Sequence, residues 1–264
     1  MSSVSSRRQY RSLLFTALLF TALLFGLDRF ASACTEKWRG TVLIAVPQTH
    51  LQTSPGDIAQ EPPKEKGNFR KPELVELIKL DPAIKLDIRY AASNNFLGRP
   101  VYKEARAFLQ RPAAEALTRA HRKLREKGYG LLVFDGYRPW SVTKLFWDST
   151  PQDKKRFVAN PSQGSRHNRG CAVDLTLFDL RSGEEVEMPS GYDEMTDRAY
   201  PNYSGGTQEQ RRMREMLREA MESEGFTVFE FEWWHFDFKD WKKYPILDIG
   251  FDQIKTVKTE RRRD

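Results

Sequence analysis

The chain has 264 residues, and its two cysteines are too few to build a disulfide framework. Its formal net charge is +7 at pH 7, and residues 1–33 account for +3 of that charge. The remaining +4 is too small an excess to indicate a nucleic-acid-binding protein.

Residues 1–33 have the three parts of a secretory signal peptide. Three arginines between residues 7 and 11 form a positively charged start, and an apolar run follows at residues 13–27. That run is shorter than the roughly 20 residues that a membrane-spanning helix needs. The small residues at 31–33 form an A-x-A cleavage site. The sequence therefore predicts export to the periplasm or cell envelope, with an uncleaved membrane anchor as the alternative.

Cys34 follows the cleavage site directly, as the acylated cysteine of a bacterial lipoprotein does. Acylation would tether the mature protein to a membrane, so lipidation stays open beside simple cleavage. Residues 34–72 are rich in proline and are predicted to be a linker. Residues 73–250 are long enough for one domain with its own core, and residues 251–264 form a basic C-terminal tail.

The hydrophobic periodicity of the domain predicts both helices and strands. Helices are predicted at residues 112–127, 140–147, 152–158 and 208–223, and strands at 84–88, 129–134, 171–178 and 226–238. Thr207 provides an N-cap for the last helix, and Gly225 ends it. Because strands and helices do not alternate strictly, the predicted fold class is α+β, with a central antiparallel sheet flanked by helices.

Two of the four histidines lie near carboxylates in a pattern that suits a metal. His167 precedes Asp174, and Glu232 precedes His235. Two imidazoles and one carboxylate form a common catalytic zinc set with an open fourth position, and Glu232 is then free to act as a base. Each residue alone also has a structural interpretation, a packed core histidine or a hydrogen-bonding aspartate. A carboxylate inside an apolar strand is nevertheless costly unless it is paired or binds a metal.

The spacing of the second motif requires a distortion of the predicted strand. Glu232 and His235 are three residues apart, so a regular strand would point them to opposite faces. A bulge or bend near Trp233 and Trp234 is therefore expected if both side chains serve one site. Gly170 is expected to allow a sharp turn or a close backbone approach between His167 and the following strand.

Several motifs together resemble a known enzyme family. They lie at residues 88–91, 95–100, 135–139, 165–177 and 191–195, followed by the Glu-x-x-His of Glu232 and His235. Their residues and order resemble those of the zinc D-alanyl-D-alanine dipeptidases of the VanX type. That family lies in the wider D,D-peptidase/Hedgehog-like superfamily. The resemblance covers residues 73–250 and implies one Zn²⁺ in a single domain of that fold.

The resemblance also implies roles for individual residues. It implies metal ligation by His167, Asp174 and His235, general-base catalysis by Glu232, stabilisation of the oxyanion by Arg138, capture of the substrate ammonium group by Asp193, and places in the pocket wall or behind it for Tyr90, Asp135 and Ser165. The implied substrate is the free dipeptide D-Ala-D-Ala. An exported enzyme would meet dipeptides released by cell-wall turnover.

Two other functions remain open from the sequence. A peptidoglycan D,D- or L,D-carboxypeptidase would need an open groove and should lack the motif at residues 191–195. A zinc-bearing binding module without catalysis should lack the base or the oxyanion residue, whereas Glu232 and Arg138 are both present. The sequence does not indicate an oligomeric state.

Overall fold

The computed structural model describes residues 61–254. The α-helices are α1 (Leu77–Leu80), α2 (Arg111–Glu126), α3 (Trp140–Ser149) and α4 (Gln208–Glu222). The strands are β1 (Leu74–Glu76), β2 (Lys85–Leu86), β3 (Phe108–Gln110), β4 (Tyr129–Asp135), β5 (Ala172–Asp179), β6 (Phe226–Phe229) and β7 (Glu232–Phe238). No helix in this part of the chain is long and apolar enough to cross a membrane. The predicted signal peptide, Cys34 and most of the basic tail lie outside the described residues.

The main sheet has five strands in the order β2-β4-β5-β7-β6, and β1 pairs with β3 in a separate antiparallel ribbon. The predicted α+β class is confirmed. The sheet is not wholly antiparallel, because β2 runs parallel to β4. A parallel pair needs a crossover connection, and here α2 lies within that connection.

Most predicted elements are confirmed, and the differences have local causes. Helices α2, α3 and α4 lie within two residues of their predicted bounds, and Thr207 forms a capping box with Gln210. The predicted helix at 152–158 is a 3₁₀ helix, Gln152–Phe157. The predicted strand at 226–238 is a hairpin, because the chain turns between β6 and β7 within an unbroken aromatic run.

The alternation of β5 separates the hydrophobic core from the opposite face of the sheet. Val173, Leu175 and Leu177 are buried in the core cluster that contains the inner faces of α2 and α4. Asp174 lies between them in the strand, so its side chain points to the other face. The carboxylate is therefore buried on the side of the sheet away from these helices, where Phe178 contributes to a smaller apolar cluster.

Gly170 makes the turn into β5, as the sequence predicts. Its φ of +66° lies in the left-handed region, and a Cβ there would come within 2.5 Å of Leu74 Cδ2. Both conditions favour glycine, because other residues are strained at positive φ and the core leaves no space.

We expect Gly170→Ala to lower the free energy of unfolding more than Gly128→Ala does. Gly128 also has a positive φ, +88°, but a Cβ there meets no atom within 4 Å. The control therefore carries only the backbone strain of about 1–2 kcal/mol. Gly170→Ala should add about 1–3 kcal/mol for overpacking. Urea unfolding in excess chelator measures both without a contribution from metal binding. Equal losses would show that the contact with Leu74 relaxes at no cost.

Candidate metal centre and active site

Three side chains predicted as metal ligands converge on the face of the sheet opposite α2 and α4. The antiparallel pairing of β5 with β7 places Asp174 directly opposite His235. His167 lies in a short 3₁₀ turn that Gly170 connects to β5. All three residues are buried, and one ligand atom from each lies within 4.8 Å of the other two. The fold thus brings together residues that are 68 positions apart in the sequence.

The distances within this cluster fit a single small cation. His235 Nδ1 lies 3.0 Å and His167 Nε2 lies 3.3 Å from Asp174 Oδ1. The two nitrogens are 3.1 Å apart. A tetrahedral ion with bonds of about 2.0–2.1 Å has ligands about 3.3 Å apart. Asp174 Oδ1 is buried between these two ring nitrogens, so it is the carboxylate atom that a cation would bind.

The outer nitrogen of each histidine is held by an acceptor, which sets the tautomer. His167 Nδ1 donates to the carbonyl oxygen of Gly136 at 2.7 Å, which leaves Nε2 free for a metal. His235 Nε2 donates to Asp237 Oδ1 at 3.0 Å, which leaves Nδ1 free. Asp237 was not among the site residues predicted from the sequence. It could have been predicted from its position two residues after His235, because residues at that spacing lie on the same face of a strand.

The charge of the cluster also favours a cation. Burial alone would lower the pKa of His235, but Asp237 and Asp174 raise it to about 10. For Asp174 the effect of burial is the opposite, since burial alone would raise its pKa. His167 and His235 nevertheless hold the pKa of Asp174 well below its ordinary value. A metal that binds through His235 must displace this proton, so the carboxylates that attract the proton would equally attract the metal.

Glu232 reaches the same site because β7 is distorted, as the spacing predicts. Phe229 pairs with Glu232, whereas Val228 pairs with Phe236, so the register shifts across the residues between them. The shift brings Glu232 Oε2 to 3.7 Å from His235 Nδ1. Burial, together with repulsion from Asp174 and other carboxylates, raises the pKa of Glu232 to about 8, although His235 lowers it. A carboxyl with a pKa near neutrality suits proton transfer.

Arg138 is fixed beside the cluster by Asp135. Its guanidinium donates through Nε and Nη2 to Asp135 Oδ2 at 2.9 and 2.8 Å, and it lies 4.7 Å from the centre of the Phe146 ring. Asp135 also accepts hydrogen bonds from the Tyr102 hydroxyl and the Gly136 amide. Asp135 therefore lies behind Arg138, one of the two places that the resemblance implies for it, and its carboxylate fixes the orientation of the guanidinium.

Asp193 forms a second acidic position in the same cleft. Its φ is +58°, the one positive value outside glycine among residues 61–254. Both carboxylate oxygens lie 3.0 Å from the Tyr90 hydroxyl. Burial and repulsion from Asp174 raise the pKa of Asp193 to about 7. A positively charged group beside Asp193 would relieve both effects.

These residues share one cleft with about 860 Å³ of empty volume, including its open mouth. Every site residue predicted from the sequence lines it except Asp135: Tyr90, Arg138, Ser165, His167, Asp174, Asp193, Glu232 and His235.

Ser165 Oγ accepts a hydrogen bond from the His167 amide, so it supports the loop that carries the first histidine. Trp233 packs away from the cleft and donates to Ser190 Oγ, whereas Trp234 lines the cleft.

Residues 70–252 match a family model described as D-ala-D-ala dipeptidase. The D-alanyl-D-alanine dipeptidase of Escherichia coli (strain K12) is 33% identical over 179 residues, covering 68% of this chain and 91% of that protein. The enzyme of the same name from Enterococcus faecalis (strain ATCC 700802 / V583) is 36% identical over 186 residues, covering 64% and 92%.

Among solved structures, the LD-carboxypeptidase LdcB aligns with a TM-score of 0.38 and 18% identity, covering 74% of this chain and 86% of that chain. A likeness this weak supports no argument about function. The family match is different in kind, because it covers more than half of the chain and nearly all of each relative. The chain therefore belongs to the D-Ala-D-Ala dipeptidase family.

Proposed function

We propose that this protein is a zinc-dependent dipeptidase that hydrolyses D-Ala-D-Ala. The observation that carries the proposal is the cleft, in which a His–Asp–His cluster lies beside Glu232, Arg138 and Asp193. The names of the relatives supply the substrate and its stereochemistry. The cleft supplies partners for the scissile amide and the free amino terminus of a dipeptide.

His167 Nε2, Asp174 Oδ1 and His235 Nδ1 would hold the zinc. A zinc held there would supply a Lewis acid for the scissile carbonyl and would lower the pKa of a bound water towards neutrality. The protein's own residues do the rest of the work. Glu232 takes a proton from the attacking water and passes it to the leaving amine. Arg138, held by Asp135, donates to the carbonyl oxygen as negative charge develops on it.

Asp193 would select a substrate with a free amino terminus. The carboxylate is partly buried and is already oriented by the Tyr90 hydroxyl, and desolvation and repulsion from Asp174 raise its pKa to about 7. The ammonium group of a dipeptide would provide that cation. A peptidoglycan carboxypeptidase acts on a longer chain and would place a neutral peptide group there. Burying a neutral group against a carboxylate is unfavourable, so this position favours the dipeptide.

The proposal extends to where the enzyme acts. A signal peptide at residues 1–33 would deliver it to the periplasm or envelope, and acylation of Cys34 would tether it to a membrane. Its substrate there would be dipeptide from cell-wall turnover. The mild charge of the remaining chain supports no role for nucleic acid.

We predict that the purified protein binds about one zinc per chain and that His235→Ala loses most of it. The substitution removes one of three protein ligands and leaves Asp174 with one fewer partner. Elemental analysis after dialysis measures the metal content. Glu232→Gln is the matched control, since it changes a neighbouring side chain that is not a ligand and should retain zinc. A zinc content in His235→Ala equal to that of the parent would show that the ligand assignment is wrong.

We predict that zinc-loaded Glu232→Gln hydrolyses D-Ala-D-Ala about 10²–10⁴-fold more slowly than the parent, because it lacks the general base. Arg138→Ala should lose about 10²–10³-fold if the guanidinium stabilises the oxyanion. The double variant should lose less than the product of the two effects, because both residues serve one transition state. Equal rates in the parent and Glu232→Gln would reject the general-base role. An inactive parent would favour a binding module.

We predict that N-acetyl-D-Ala-D-Ala is hydrolysed far more slowly than D-Ala-D-Ala, because acetylation removes the charge that Asp193 would bind. Asp193→Asn should raise KM for the free dipeptide. It should also reduce the difference between the rates at which the free and the acetylated dipeptide are hydrolysed. A matched assay with a stem pentapeptide covers the carboxypeptidase alternative. If the pentapeptide or the acetylated dipeptide were the better substrate, Asp193 would not be an ammonium site.

A further inference from the structure

The two oxygens of Asp174 have different surroundings. Oδ1 faces His167 Nε2 and His235 Nδ1, at 3.3 and 3.0 Å. Oδ2 accepts a hydrogen bond from the Tyr192 hydroxyl at 3.0 Å. The nearest cation to Oδ2 is Arg138 Nη2, at 3.7 Å, and that guanidinium is already committed to Asp135. Tyr192 is therefore the group that distinguishes one oxygen of this carboxylate from the other.

Tyr192 is held firmly enough to make that distinction. Its ring centre lies 4.7 Å from that of Phe134 and 5.5 Å from that of Trp234, in tilted and edge-on arrangements. It directly precedes Asp193, whose left-handed backbone turns the chain at this point. One tight turn thus carries both the hydroxyl that touches a metal ligand and the carboxylate that faces the substrate amine.

We propose that Tyr192 is a positioning residue that restricts Asp174 to binding the metal through Oδ1 alone. The inference rests on the proposed zinc centre. Tyr192 lies in the motif at residues 191–195, but the implied residue roles and the catalytic steps do not use it. A carboxylate can bind a metal through one oxygen or two. When Oδ2 is occupied by a phenol proton, one oxygen remains, and a coordination position stays open for water and substrate.

Loss of the hydroxyl has a definite consequence. Oδ2 would be left buried with no hydrogen-bond donor closer than the guanidinium at 3.7 Å, which is unfavourable for an anion. Rotation of the carboxylate towards the metal would satisfy that oxygen. The result would be a more highly coordinated metal and a less well-oriented ligand.

The test is Tyr192→Phe in the full-length protein, which removes one oxygen atom and retains the aromatic contacts. Cobalt replaces zinc, because visible absorption of Co²⁺ weakens as its coordination number rises. We expect weaker visible absorption in Tyr192→Phe than in the parent. Zinc affinity, measured by competition with a chromogenic chelator, should fall by about 10–100-fold. Circular dichroism of the metal-free proteins checks that both are folded.

Tyr90→Phe is the matched control. It removes a buried hydroxyl from the same cleft, but that hydroxyl bonds Asp193 and not Asp174. Its cobalt spectrum and zinc affinity should equal those of the parent. Superimposable spectra for Tyr192→Phe and the parent would overturn the proposal, as would an equal change in both variants. Neither the cobalt spectrum nor the zinc affinity depends on hydrolysis of the dipeptide. The test therefore remains valid even if the parent protein does not hydrolyse D-Ala-D-Ala. A parent that bound no cobalt would reject both this inference and the zinc centre.

Discussion

The structure of the site depends on one buried carboxylate, Asp174, in the middle of an apolar strand. An ionised group in this position is costly unless its surroundings compensate it. Both strands that flank β5 are irregular where they pass it: β4 shifts register between Val133 and Asp135, and β7 shifts between Glu232 and Phe236. These distortions place Asp135 and Glu232 beside the metal ligands. Regular strands would still pair Asp174 with His235, but would not bring these two neighbours to them.

The cleft brings several carboxylates close enough to repel one another. Asp174, Asp193 and Glu232 lie in one cleft, and the pKa values of the last two are raised by burial and mutual repulsion. The strained backbone of Asp193 adds to the cost. A divalent ion and an ammonium group would satisfy these carboxylates together. The cleft is thus prepared for two cations at separate positions, which is the charge pattern of a metal with a free peptide amine beside it.

The sequence predicted which residues share the cleft better than it predicted the architecture. The candidate ligands followed from residue type and the family resemblance, and the bulge in β7 followed from the odd spacing of Glu232 and His235. The hairpin between β6 and β7 was missed, because its turn carries no glycine or proline signal. Strands β1 and β3 are three residues each, too short for a periodic pattern. The contacts of Tyr192 and Asp135 depend on how distant strands pack, which local patterns do not encode.

We propose that the fold brings three atoms together as the protein ligands of one zinc ion: His167 Nε2, Asp174 Oδ1 and His235 Nδ1. Anomalous diffraction at the zinc edge, from crystals of the zinc-loaded protein, would locate that ion. We expect one strong peak between these three atoms, with the Glu232 carboxylate outside the coordination sphere and the Tyr192 hydroxyl still on Asp174 Oδ2. A zinc ion bound through His235 Nε2, or directly ligated by Glu232, would show that this ligand assignment is wrong.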